Sequence, residues 1–285
     1  MWIFYIVCSA FLDSLKVLLG KKGTNRLDHT AVAWSQWVFA LFLLIPLLII
    51  SKPTSPSSSF WSILVLSGVC NTISTMLFWR TVSQSDISLV LPLASSFPIL
   101  LLITSPILTH EFPSAIGIIG IMTTIIGAYF LNLSKRVKGA WEPLKHIFTD
   151  PGLRPILIVM ILWSIASNLD KIAVQQSSPL FYITCLHIFV AALLSPILIS
   201  KKQLPIVIKS AGRLAPIGLA SGSSLALQML ALTGAIVPYV LTVKRVNVFF
   251  TILWGSIFLH EKQTRERLVG ALVMVTGIVL VTLFG

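Results

Sequence analysis

The chain has 285 residues, 56% of them hydrophobic, with a mean hydropathy of +0.94 and only 11% charged residues. That is far more apolar surface than a soluble domain of this size needs, and no polar stretch is long enough to form a separate soluble domain. A net charge of +12 would suggest nucleic acid in a soluble protein, but here Lys and Arg gather in short loops between apolar runs, so the expected partner is an anionic lipid leaflet and not nucleic acid.

Runs of about 20 apolar residues predict membrane-spanning helices. Ten are read, at 2–20, 30–50, 60–80, 86–108, 113–132, 155–175, 179–200, 213–233, 235–259 and 266–284, giving an all-α membrane protein. The first run has no basic n-region and no small-residue cleavage signal, so it is expected to be a spanning helix and not a signal peptide. It carries Asp13 and Lys16, the latter close enough to the helix end to snorkel. "SKPTSPSSS" at 51–59 is a polar turn. The third span holds Asn71, Ser74, Thr75 and Phe78, with Trp79 near its end. In the fourth, Pro92 and Pro98 flank Ser95 and Ser96, and a bend is expected there because proline frees a carbonyl one turn earlier. Gly117, Gly120 and Gly127 share one face of the fifth span, as Gly270 and Gly277 do on the tenth, and such faces pack helices closely, between repeats or between protomers of a homodimer.

The longest loop, 133–154, is basic, and Trp141, Leu144, Ile147 and Phe148 are expected to form a short interfacial helix in it. The sixth span follows with Trp163, Ser167, Asn168, Asp170 and Lys171. In the eighth, Ser221, Ser224 and Gln228 are three and four apart, which puts them on one helical face. The ninth contains Tyr239, Lys244, Arg245 and Asn247. Asn71, Asn168, Gln228 and Asn247 are costly in lipid and are expected to face a cavity. Most of the Ser and Thr residues need no more than interhelical packing to explain them. Cys8, Cys70 and Cys185 lie in three separate runs, which argues for buried small hydrophobes and against a disulfide framework or zinc site.

The two halves repeat. His110–Glu111 recurs as His260–Glu261, 150 residues later, and at the same offset Gly68 matches Gly218, Gly120 matches Gly270 and Gly127 matches Gly277. Leu12–Asp13 recurs as Leu169–Asp170. The organisation read from this is a first five-helix repeat at 1–133, a basic cytoplasmic linker at 134–154 and a second five-helix repeat at 155–285. An odd number of spans per repeat inverts the second copy, the arrangement in which transporters place a substrate site near the midplane. Lys52 alone among the loop cations falls on one side, so the other side should be cytoplasmic and both termini outward.

"PILLLITSPILTHE" (98–111) followed by "GIIGIMTTIIGAYFLNL" (117–133), and "ILWGSIFLHEKQTRERLVGALVMVTGIVLV" (252–281), resemble the EamA-type members of the drug/metabolite transporter superfamily, over essentially the whole chain. The resemblance implies a secondary transporter in a cytoplasmic (inner) membrane of a bacterium. It implies a central cavity lined by the first, third, fourth, sixth, eighth and ninth spans and supported from outside by the second, fifth, seventh and tenth. Many members are thought to keep their termini in the cytoplasm, and the charge count of this chain points the other way. The sugar-phosphate translocators of plastids, in the same superfamily, carry a Lys-Arg pair in the ninth span that binds phosphate, and this chain has Lys244–Arg245 there.

A lone cation at the centre of a spanning helix costs on the order of 3 kcal/mol or more. Two adjacent ones point about 100° apart and cannot both face lipid cheaply. Asp13 and Asp170 are too few to neutralise Lys16, Lys171, Lys244 and Arg245, so an anionic substrate is expected to complete the charge balance. Asp13, Asp170 and Lys171 are candidates for gating or proton coupling, with an Asp170–Lys244 pair that opens on substrate entry. The His-Glu pairs are expected to anchor the spans that follow them. No Gly-rich phosphate loop, metal-ligand spacing or Ser-His-Asp set is present, so no enzyme activity, cofactor or metal is expected. The leading expectation is alternating access to an anionic small solute, by exchange or with a coupling ion. An exporter of amino acids or amphipathic compounds, and a non-transporting membrane partner or sensor, are the alternatives.

Overall fold

The computed structural model describes residues 1–24, 27–51, 56–85, 87–132, 149–259 and 265–285. Every regular element among them is a helix. In chain order these are α1 (Trp2–Thr24), α2 (His29–Ser51), α3 (Phe60–Gln84), α4 (Ile87–Ser95), α5 (Pro98–Leu108), α6 (Ala115–Asn132), α7 (Pro155–Gln175), α8 (Pro179–Ser200), α9 (Leu204–Lys209), α10 (Ala211–Leu232), α11 (Val237–Val243), α12 (Val246–Leu259) and α13 (Arg265–Phe284). Proline sits in the first turn of α5, α7, α8, α9 and α11, where its missing N–H would have no helical partner in any case. Ser178 caps α8 by accepting the Phe181 N–H at 3.3 Å.

Seven described segments are long and apolar enough to cross a membrane: α1, α2, α3, Leu89–Leu108, α7, α8 and α10. Ala115–Leu131 and Val269–Phe284 are shorter apolar helices, and the stretch expected as a ninth span is broken into α11 and α12. Large apolar side chains face outward from many helices, Phe42, Ile49, Ile103 and Leu272 among them, as lipid contact requires and water would not favour. The short α9 has no counterpart in the sequence reading; it buries only Val207 and leaves Ile208 exposed. The expected interfacial helix at 141–148 lies outside the described residues, as do His260, Glu261 and Asp86.

Each repeat packs on the other in matched pairs. α1 lies along α10 as α7 lies along α3, while α2 meets α8 and α6 meets α13. The closest approaches are duplicated at the same 150-residue offset. A methyl group added at Gly68 would strike the ring of Phe189, and one added at Gly218 would strike Phe39. Pro46 lies inside α2 as Pro196, 150 residues later, lies inside α8. Gly120 and Gly127 on α6 face Gly277 and Gly270 on α13, with a carbonyl of the partner helix about where a side chain would stand (Gly277 O lies 2.9 Å from a Cβ built on Gly120). The glycine faces are thus used between repeats of one chain and are not open to a second protomer.

Hydrogen bonds define the two ends of the bundle. At one end Lys21 Nζ reaches Val82 O at 2.7 Å, and Lys201 Nζ reaches Asp28 Oδ1 at 3.4 Å and Thr30 Oγ1 at 2.7 Å. This joins the end of α1 to the end of α3, and the end of α8 to the start of α2. At the other end Ser57 N donates to Gln176 O at 3.1 Å, and Ser114 Oγ to Phe284 O at 3.4 Å.

Candidate functional site

The site is built where two helices break. Up to Lys244 the chain keeps α-helical bonding, with Lys244 N on Val240 O at 3.0 Å. Then the turn tightens: Arg245 N bonds Thr242 O, Asn247 N bonds Lys244 O and Val248 N bonds Arg245 O, each at 3.0 Å. These are i to i−3 bonds, and they bypass the Leu241 carbonyl, which accepts the Nε of Arg245 itself at 3.3 Å. The matching break lies between α4 and α5. There Ser96 N bonds Leu93 O at 3.0 Å, and Pro98, having no N–H, cannot carry the ladder across. The two breaks meet, with the Arg245 guanidinium carbon 4.8 Å from the centre of the Phe97 ring.

Around this junction is a cavity of about 150 Å³ with residues from α1, α2, α3, α4, α7, α10, α11 and α12 on its wall. Lys244 and Arg245 both line it and are only 6% and 8% exposed. Lys244 Nζ donates to Gln228 Oε1 at 2.5 Å. Among the described residues no carboxylate lies within 4.0 Å of either cation. The terminal guanidinium nitrogens of Arg245 are not among the buried polar atoms that lack a partner, so they open onto the cavity. Beside Arg245 is an aromatic wall in which Trp163 packs on Phe78 and Phe97 at centroid distances of 5.3 and 5.8 Å. Trp79 donates its indole N–H to Gln36 Oε1 at 2.9 Å.

Two buried aspartates line the same cavity with different partners. Asp13 is held by Lys16 Nζ at 2.5 Å and by Asn247 Nδ2 at 2.8 Å, which ties α1 to the start of α12. Among the described residues no cation lies within 4.0 Å of Asp170. Its Oδ1 accepts the hydroxyls of Ser67 at 2.8 Å and Tyr182 at 2.5 Å, and Asn71 Nδ2 in turn donates to Ser67 Oγ at 3.2 Å.

Of the sequence-derived residues, Lys244, Arg245, Asn71, Phe78, Trp163, Gln228, Asn247, Asp13 and Asp170 gather on the cavity wall. Three do not. Asn168 is fully buried between α5 and α7, donating to Thr104 Oγ1 at 3.1 Å and accepting from Thr109 Oγ1 at 3.3 Å. Tyr239 turns to α6, where its hydroxyl accepts the Ser114 N–H at 2.9 Å over Gly117. Lys171 pairs with Glu111 at 3.2 Å and donates to Ala235 O at 2.7 Å, while Glu111 also accepts the Val237 N–H at 2.7 Å. Glu111 therefore holds the start of α11 in the other repeat, and not the span that follows it. The expected Asp170–Lys244 pair is not formed, because each group has uncharged partners. Lys16 does not snorkel away but stays with Asp13 on the cavity wall.

Gln36 and Trp37 also line the cavity, although the second span was expected only to support it from outside. The signal was available: Gln36 is the one side-chain amide in an otherwise apolar 29–51 run. Phe97 was missed because an aromatic residue in an apolar run carries no mark of a site.

No curated protein matches the chain. A solved crystal structure shares its fold, with a TM-score of 0.72 at 13% identity over 99% of this chain and 97% of that one. The model of the EamA-like transporter family matches twice, at residues 1–133 and 151–283. Together these matches take in nearly the whole chain, one on each side of the central loop. The chain belongs to the EamA-like transporter family, within the drug/metabolite transporter superfamily.

Proposed function

We propose that the chain is a secondary transporter that carries a small anionic solute through the cavity at the two helix breaks. Ten crossings in two inverted five-helix repeats, 1–133 and 155–285, joined by a cytoplasmic linker at 134–154, are part of this reading. The observation that carries it is Arg245: a buried guanidinium whose terminal N–H groups open onto the cavity, beside Lys244, with no carboxylate of the described residues within ion-pair distance of either. Burying cations with no carboxylate in ion-pair contact is costly, and an anion entering the cavity offsets that cost while taking a bidentate contact. Broken helices suit the task because they bring side chains and loosened backbone to the midplane without exposing either to lipid. In this reading the anionic group of the solute meets Lys244 and Arg245, and the rest of it lies among Gln228, Asn71, Phe78 and Trp163, which line the same cavity.

The aromatic wall also supports a second reading, an exporter of amino acids or amphipathic compounds whose apolar part packs on Phe78 and Trp163. Counterflow in proteoliposomes separates the two. Wild type should exchange small organic anions, and Lys244→Gln and Arg245→Gln should each lower the rate by about tenfold or more while remaining monodisperse. Exchange of neutral solutes alone, with both variants as active as wild type, would end the anion reading.

A further inference from the structure

The internal repeat supplies a comparison for every buried charge. Asp13 and Asp170 are repeat equivalents, each following a leucine. Asp13 has its cation built in, Lys16 one turn later. At the corresponding place after Asp170 the chain has Ala173, and the adjacent Lys171 is taken by Glu111 on a different face of α7. With those two pairs formed, the charges left at the cavity are Lys244, Arg245 and the single carboxylate of Asp170.

That carboxylate is half satisfied. Both of its hydroxyl donors, Ser67 and Tyr182, go to Oδ1, and no described residue donates to Oδ2. Oδ2 is not among the buried polar atoms lacking a partner, and Asp170 is on the cavity wall, so Oδ2 opens into the cavity. The groups facing it are Ser67, Cys70 and Asn71 on α3, Tyr182 on α8, and Lys244 across the cavity, whose Nζ is engaged by Gln228. A carboxylate 5% exposed, held by two hydroxyls and lacking a cation, is costly unless something positive reaches it.

We propose that Asp170 is a cation-accepting subsite of the cavity, filled by a positive charge that enters with the anion bound at Lys244 and Arg245. This rests on the anion reading above and extends it. The positive charge has two sources: an ammonium on the solute itself, or a proton taken up by Oδ2 as the solute binds. The cavity is of suitable size, since an engineered cavity of similar volume in another protein holds benzene, and a solute of roughly six to ten heavy atoms fits that volume.

The test compares propionate with alanine, which differ by one ammonium, in counterflow for the preference and in net uptake into vesicles with a trapped pH dye for proton movement, each read above protein-free vesicles. Wild type should favour alanine by about tenfold, the size of one charge-assisted hydrogen bond, or else carry propionate together with protons. The first result assigns the charge to the solute and the second to a proton. Asp170→Asn keeps an oxygen for the Ser67 and Tyr182 hydroxyls; it should erase the preference or the proton movement while propionate still exchanges. Asp28→Asn, a carboxylate outside the cavity, should erase neither. Methylammonium, a cation with no anionic group, tests the subsite independently of the anion reading. It should quench tryptophan emission from the cavity wall in wild type but not in Asp170→Asn, or in Asp170→Ser if the amide variant does not fold. No response to methylammonium in wild type, or an Asp170→Asn that matches wild type in every readout, overturns the proposal. Failure of propionate exchange with an intact methylammonium response would remove the anion reading and leave the subsite standing.

Discussion

Arg245 makes three kinds of contact that a lysine could not reproduce together. Its Nε satisfies the Leu241 carbonyl released by the helix break, its guanidinium carbon lies over the Phe97 ring, and its terminal nitrogens reach the cavity. Arg245→Lys keeps the charge but loses the fork and the stacking. The expected result is a KM for the anion raised about tenfold, with the maximal rate less affected, because a point charge still attracts the solute but does not orient it. A variant indistinguishable from wild type would mean that Arg245 serves only to hold the break. The cations were legible in the sequence because a charge in an apolar run needs an explanation. Which of their neighbours join them was not. Asn168 precedes Asp170 by two residues, about 200° around the helix, so with Asp170 on the cavity Asn168 must turn to α5. Lys171 is about 100° from Asp170 and meets Glu111. Side-chain polarity marks a residue as needing a partner; only packing decides whether that partner is substrate or protein.

At the scale of elements, the break between α11 and α12 does most to position the site, and nothing local announces it. Residues 239–250 contain neither proline nor glycine, so the sequence reads as one continuous span. The fourth span did carry a signal in Pro98, and its break falls just before that residue. The start of α11 is fixed from outside by Glu111, which accepts the Val237 N–H while Lys171 bridges it to the Ala235 carbonyl. Three elements, the segment after α5, α7 and α11, are tied at one point, near the end of the bundle opposite the lysine-rich loops. Glu111 and Lys171 have side chains only 13% and 9% exposed, so removing one leaves the other nearly buried and uncompensated. Glu111→Gln is expected to cost about 3 kcal/mol of stability, and Lys171→Gln a similar amount, whereas the double variant should recover a large part of the loss. Thermal unfolding in detergent of the four proteins checks this. Strict additivity of the two losses would show that the groups do not act as a pair and that α11 is held by backbone packing alone.

At the scale of the whole molecule, the charge asymmetry of the sequence becomes a physical polarity. The bonds of Lys21 and Lys201 gather the ends of α1, α3 and α8 at one face of the bundle, while Ser57, Gln176 and Ser114 mark the opposite face, which also holds both chain ends. Trp2 packs on Gly234 and Phe284 on Ser114, so the first and last residues lie beyond the same end. The repeat was legible because it rests on a constant offset. Its consequence, that Phe39 meets Gly218 as Phe189 meets Gly68, needed coordinates, since an offset says which residues correspond and not which ones touch. If lipid charge and retention of cations in the cytoplasm orient the chain, the lysine-rich face is cytoplasmic. Single cysteines at Ser58 and Lys202, both exposed and on opposite faces, test this in a background with Cys8, Cys70 and Cys185 replaced by serine or alanine. In intact cells a membrane-impermeant maleimide should label Ser58→Cys, and Lys202→Cys only after permeabilisation. The reverse pattern would place Lys201 and Lys202 outside, against the orientation expected from the charge distribution. It would also exchange the faces at which the Glu111–Lys171 tie and the Asp28–Lys201 contact act, so that the tie on α11 would lie at the cytoplasmic face and the Asp28–Lys201 contact at the outer one.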